Sequence, residues 1–188
     1  MYKLCKTEES AKRQRQLEMG LLAAMENAYY EEISISDLCN QMKIPRKSFY
    51  RYFSSKEGAL YALLDHTFLE YDRSVVLRRG ETSYRRGKEL EWFFDFWLMQ
   101  RRLLDALERS GLSGVFMGRA IYYAVNEHGG PVSAFPKCET FLYDQAVTFI
   151  TSGLMSIMLQ WHHAGYNRTP REMAELATII LSRPLLSP

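Results

Sequence analysis

The stretch Ile33-Ser-Ile-Ser-Asp-Leu-Cys-Asn-Gln-Met-Lys-Ile-Pro-Arg-Lys-Ser-Phe-Tyr-Arg-Tyr-Phe53 decides how this chain reads. Ser34 stands three residues before Asp37, the capping-box form that starts a helix. The helix it opens ends near Gln41 or Met42. Pro45 opens the next, because a first helical turn does not need the N–H that proline lacks. A short helix, a turn of a few residues and a second short helix form the helix-turn-helix plan. In that plan the second helix enters the major groove of duplex DNA.

Charge is concentrated in the same place. Residues 1–56 hold 10 basic and 7 acidic side chains, and the remainder holds 14 and 15. Between Lys43 and Lys56 the basic residues are Lys43, Arg46, Lys47, Arg51 and Lys56, with no acid among them. Over all 188 residues, 24 basic and 22 acidic groups leave a net charge of only +2, so the distribution carries the information. A basic patch neutralises phosphates and releases their counterions. Arg46, Lys47 and Ser48 occupy the first turn of the second short helix, where side chains reach base edges. The hydroxyls of Tyr50 and Tyr52 can donate to phosphate oxygens. The same run also fits a solvated basic face on an ordinary bundle, and these residues alone leave both readings open.

Working outward, the pattern stays helical. Leu17, Leu21, Ala24 and Ala28 recur at helical steps, predicting a helix over 8–28. Ser54-Ser-Lys-Glu57 is another capping box, starting a long helix with an apolar stripe through Leu60, Leu64 and Phe68. Arg78 to Lys88 reads as a break. Leu90 to Leu107 and Leu112 to Asn126 read as helices, followed by a loop at Gly129-Gly-Pro131 and Pro136. Cys138 to His163 reads as one long helix, and Thr169-Pro-Arg-Glu172 starts the last. No alternating run argues for a sheet. The expected class is all-α with about nine helices.

The composition, 47% hydrophobic and 24% charged, excludes a disordered, collagen-like or low-complexity chain. The three cysteines, Cys5, Cys39 and Cys138, form no CxxC or zinc spacing and read as reduced thiols of a cytoplasmic protein. The N-terminus turns charged at once, with no apolar region of a secretory signal. From Gln145 to Asn167 there is no formal charge, but Gln145, Thr148, Ser152, Ser156 and Gln160 form a polar stripe. A helix packed on other helices explains that stripe better than a membrane span. His162 and His163 are adjacent on a helix, about 100° apart, and so are poor joint ligands. There is no Gly-rich phosphate loop, no GxSxG and no HExxH, so no catalytic residue, metal or cofactor is expected.

The segment from Ile33 to Leu60 resembles the DNA-binding domain of the TetR family of transcriptional regulators. That family shows a Thr or Ser before an apolar residue at the start of its second helix. Across its third and fourth helices it shows a Phe/Leu-Tyr-x-Tyr/His-Phe-x-x-Lys-x-x-Leu string. Here the string runs Phe49-Tyr50-Arg51-Tyr52-Phe53-Ser54-Ser55-Lys56-Glu57-Gly58-Ala59-Leu60. The match covers about residues 12–64. This chain departs from the pattern in three places. Lys43 replaces the usual Gly of the turn, Pro45 the frequent Ser cap, and Tyr29 a Gly after the first helix. If the backbone at Lys43 has positive φ, lysine costs about 1 kcal/mol there.

The resemblance implies that Ser34, Tyr50, Tyr52 and Lys56 bind phosphates of double-stranded DNA. It implies that Arg46, Lys47 and Ser48 read bases, with Arg51 able to do either. Residues 1–56 would form the DNA-binding domain and 57–188 a helical dimerisation and ligand domain. In such a family the last two helices make a homodimer interface, here carried by Ala146, Ser152, Gly153, Ser156 and Gln160; the same stripe would also pack inside a monomer. Trp92, Phe93, Phe96, Trp97, Phe116, Tyr122 and Tyr123 either line an apolar pocket for a small-molecule effector or form ordinary core. The expected function is a dimeric regulator, a repressor released by a small molecule. The alternatives are control by a protein partner, and a helical enzyme or adaptor with an incidental basic patch.

Overall fold

The computed structural model describes residues 2, 5, 7–80, 88–126 and 140–182. Among these the fold is all-α, with nine α-helices, one 3₁₀ turn and a single antiparallel bridge between Tyr2 and Phe53. The helices are α1 (Glu8–Met25), α2 (Ile35–Gln41), α3 (Arg46–Tyr50), α4 (Lys56–Arg79) and α5 (Glu89–Met99), then α6 (Arg101–Arg109), α7 (Ser113–Asn126), α8 (Thr140–His163) and α9 (Pro170–Ser182). The 3₁₀ turn, Tyr30–Glu32, lies between α1 and α2.

Capping chemistry sets most starts. Thr7 accepts a bond from the Ser10 amide at the head of α1. The Ser34 hydroxyl accepts from the Asp37 amide at 3.0 Å. At α9 the box is reciprocal: the Thr169 hydroxyl takes the Glu172 amide and the Glu172 carboxylate takes the Thr169 amide. The Thr169 amide and the Thr169 hydroxyl both donate to the Glu172 carboxylate and hold its pKa below the usual range. Two starts differ from the sequence reading by one residue. Pro45 is the N-cap of α3 and does not lie inside its first turn, so α3 has no side-chain cap. The cap of α4 is Ser55, whose hydroxyl accepts from Gly58.

Three helices end by one device. At the end of α6, Gly111 has φ +67° and Leu112 N–H donates to Leu107 C=O. At the end of α8, Gly165 has φ +68° and Tyr166 N–H donates to Trp161 C=O. At the end of α2 the same six-to-one bond runs from Ile44 N–H to Cys39 C=O, and the residue in the left-handed position is Lys43, at φ +54°. At that position glycine avoids the Cβ clash in the other two turns, whereas Lys43 carries it; Tyr166, the residue after Gly165, carries a similar cost at φ +58°.

The helix expected over Leu90–Leu107 is two. Gln100, at φ −89° and ψ 14°, closes α5, and its carbonyl then accepts from Leu103 and Leu104 as α6 begins. No Gly or Pro marks the break. Phe93, Phe94, Phe96 and Trp97 bury α5 on nearly every side, whereas Leu103, Leu104, Ala106 and Leu107 give α6 its own stripe. The break re-aims that stripe. Helix α1 ends at Met25, short of Ala28. The loop read at 129–136 and Cys138 lie outside the described residues.

The chain divides into two compact units. The first comprises residues 1–67 and 105–119, and the second 68–104 and 120–188. In the first, Leu21, Met25, Phe49, Leu64 and Phe116 are fully buried. Two buried carboxylates there are supplied with cations, because an unpaired buried charge is costly. Glu18, wholly buried, meets Arg15 at 3.0 Å and His66 Nδ1 at 2.9 Å. Asp65 accepts from the Arg119 guanidinium and, at 2.6 Å, from the Tyr2 hydroxyl. In the second unit α5 packs on α8 and α9. Its core holds Phe93, Phe94, Trp97, Leu154, Met158 and Trp161.

Lys43→Gly should stabilise the protein by about 1 kcal/mol, since glycine occupies the left-handed region without a Cβ penalty. Urea unfolding of the two proteins side by side measures it, and an unchanged or lower midpoint would count against the strain.

Candidate nucleic-acid interface

Helix α3 has five residues, too few to persist alone. It is held by Phe49, which is fully buried and lies 5.2 Å from the Phe53 ring. With Phe49 pointing inward, helical geometry turns the neighbouring side chains out. Arg46, Lys47, Tyr50 and Arg51 are exposed and Ser48 is half-buried. Arg46 lies over the Tyr50 ring and points a weak 3.4 Å hydrogen bond at its hydroxyl. Lys47 and Arg51, four residues apart, share one helix face.

The other sequence-predicted phosphate ligands are placed differently. Lys56 turns inward. Its ammonium donates to the carbonyls of Tyr30, Glu31 (3.3 Å) and Ile33 (2.8 Å), and sits 4.2 Å from the centre of the Tyr30 ring. The Tyr30 carbonyl also accepts the Ile33 amide at 3.2 Å, so Lys56 ties itself to the backbone of the 3₁₀ turn. Burial lowers its pKa, with the Glu31 carboxylate opposing. Burial, helped by Glu57, pushes the Tyr30 hydroxyl up to about 12. Ser34 both accepts the Asp37 amide and donates to the Asp37 carboxylate at 2.5 Å, so its hydroxyl is committed to the cap. Tyr52 is 8% exposed, with its ring tilted against Phe53.

The sequence reading passed over α1. A cleft of about 530 Å³ within the first unit brings Glu9, Lys12, Arg13 and Gln16 of α1 against Arg51 and Tyr52. The signal was present, since Lys12 and Arg13 are basic and precede the apolar stripe, but α1 was read only for that stripe.

In the second unit, Phe93, Trp97 and Tyr123 line a small void with Phe68, Tyr71 and Thr151. Its volume is about 30 Å³, room for roughly two waters. The Tyr123 hydroxyl donates to Asp72 at 3.0 Å. Of the other aromatic candidates, Phe96 is buried against Tyr71, and Trp92 is half-buried under Arg78. Tyr122 is 50% exposed, and Phe116 is in the core of the first unit. Phe68 and Tyr71 were legible only as the stripe of α4.

On α8, Val147, Leu154, Met155 and Met158 are buried. Gly153, Ser156 and Gln160 are exposed, and Ala146 and Ser152 half-buried. Leu142 and Phe149, the latter 71% exposed, lie on this helix too, and were missed. His162 is buried with Nδ1 on the Tyr166 hydroxyl, whereas His163 is exposed. Among the described residues no group of three His, Cys, Asp or Glu side chains could hold a metal, and no helix is long and apolar enough to cross a membrane.

No family model and no curated protein sequence matches this chain. Solved structures do. The dihydroxyacetone kinase operon activator DhaS superposes with a TM-score of 0.59 at 14% identity, covering 90% of this chain and 94% of its own. The fatty acid degradation regulator FadR from Bacillus halodurans superposes with a TM-score of 0.58 at 12% identity, covering 98% and 100%. The likeness runs over nearly the whole of each chain and shows a shared helical fold.

Lys56→Met keeps the apolar stem and removes three charged hydrogen bonds. It should lower the unfolding free energy by roughly 2 kcal/mol, read from urea denaturation. A stability equal to that of the parent would refute the inward clasp.

Proposed function

We propose that this chain is a sequence-specific, duplex-DNA-binding transcriptional regulator of the TetR type. The observation that carries the reading is the setting of α3: one buried anchor, Phe49, around which Arg46, Lys47, Tyr50 and Arg51 face outward. The two regulators that share the fold support it, one an operon activator and the other a regulator of fatty acid degradation. In this reading Arg46, Lys47 and Ser48 meet base edges, and Tyr50 and Arg51 meet phosphates. Lys56 and Ser34 shape the head, holding the turn before α2 and the start of α2. The DNA contacts fall within residues 1–56, and residues 57–188 carry dimerisation and response to a small-molecule effector in the second unit.

The dimer follows from what α8 leaves outside. Phe149 is largely exposed on the same helix as Gly153 and Ser156, and a Cβ built on Gly153 meets nothing within 4 Å. A second copy of α8 can approach there closely, covering an aromatic ring that water solvates poorly. Two heads related by a two-fold axis read a near-palindrome whose half-sites lie one DNA turn apart.

Selection from random duplexes should return a palindrome, and the binding constant should fall steeply and log-linearly with salt. Lys47→Ala should change the preferred sequence, each lost base contact costing about 1–3 kcal/mol of discrimination. Salt-independent or absent duplex binding would refute the reading. Sedimentation equilibrium should give twice the chain mass for the parent and the single-chain mass for Phe149→Asp; a monomeric parent would refute the dimer.

A further inference from the structure

We propose that the cleft between α1 and the end of α3 is a second phosphate-binding site, which grips the DNA backbone beside the groove that α3 reads. The inference rests on the DNA-binding reading above and adds a partner site that the helix-turn-helix pattern does not contain.

Three cations converge on the cleft: Lys12, Arg13 and Arg51. Each is available to an incoming anion. Arg51 has no hydrogen bond or ion pair among the described residues. Arg13 makes one 3.4 Å bond to Gln16, at the limit of a hydrogen bond, and both side chains are exposed. Lys12 pairs with Glu8 at 2.7 Å, but the two side chains are 72% and 83% exposed, and such surface pairs are worth little. A phosphodiester loses nothing costly by displacing them.

The ligand class follows from shape and continuity. The cleft wall is polar and open, and its inner side is closed by the buried Tyr52 ring. Guanidinium groups match phosphate oxygens in bidentate fashion. Arg51 belongs both to the cleft and to the α3 face that carries Lys47, one helical turn earlier. A strand of phosphates passing Lys47 and Arg51 therefore runs on to Arg13 and Lys12. Glu9 is the one carboxylate in the cleft wall, and it opposes the same anion.

The test uses the full chain and a fluorescent duplex of its selected sequence, with a second duplex of unrelated sequence. Arg13→Gln should reduce the slope of log K against log salt by about 1, and weaken both duplexes by a similar factor, about tenfold at 0.1 M salt. Glu9→Gln should strengthen both. Arg171→Gln, on α9, should change neither, and thermal melts confirm that each variant folds. If the parent binds DNA but Arg13→Gln and Glu9→Gln leave its slope and affinity unchanged, the cleft is not a phosphate site. If the parent binds no duplex at any salt, the DNA-binding reading itself has failed.

Discussion

A helix of five residues forms too few internal hydrogen bonds to offset the entropy of ordering it. Everything proposed for α3 therefore depends on Phe49. Its ring is fully buried and tilted against Phe53, and burial of a phenyl group is worth about 1.5–3 kcal/mol. That one contact fixes the rotation of α3 about its axis. With the rotation set, Arg46, Lys47, Tyr50 and Arg51 have nowhere to point but outward. Pro45 contributes a rigid φ of −66° at the entry, and the turn at Lys43 closes α2 just before it.

Burial also sorts the charges of the first unit into two groups. Those drawn inside are matched locally: Glu18 with Arg15 and His66, Asp65 with Arg119 and Tyr2, and Lys56 with three carbonyls and an aromatic face. Each satisfies its partner and holds two distant segments together. Those left outside, on α3 and the first half of α1, have weak partners or none, and an unpaired cation in water is free to meet a phosphate. The chain has a net charge of only +2, yet this division leaves a cationic surface where the helices are shortest.

The second unit follows a different logic. Its α5 carries bulky rings on nearly every side, so it belongs in the middle, packed by α8 and α9. Interiors interlock with few voids wider than a water molecule. The void beside Phe68, Tyr71, Phe93 and Trp97 is such a gap, and the buried hydroxyls of Tyr71 and Thr151 border it. Helix α8 is apolar inward and keeps its polar stripe outward, which explains an uncharged stretch that is not apolar enough to cross a membrane.

Local pattern was enough to read the helical class, most helix starts to within a residue or so, the short-helix pair and the residues that face out from α3. These are local matters, set by hydrogen bonds and periodicities that span three or four residues. It also placed a lysine where the turn after α2 needs a left-handed residue. Where long side chains end is settled by packing between distant segments. Lys56 reads as a surface cation until the carbonyls of Tyr30 and Ile33, more than twenty residues earlier, come within its reach. Tyr52 reads as a phosphate donor until packing leaves it 8% exposed. Phe116 and Phe93 read as one aromatic cluster, yet Phe93 belongs to the second unit and Phe116 to the first. For Lys56 the deciding partners are remote along the chain, and no local pattern encodes a contact of that kind.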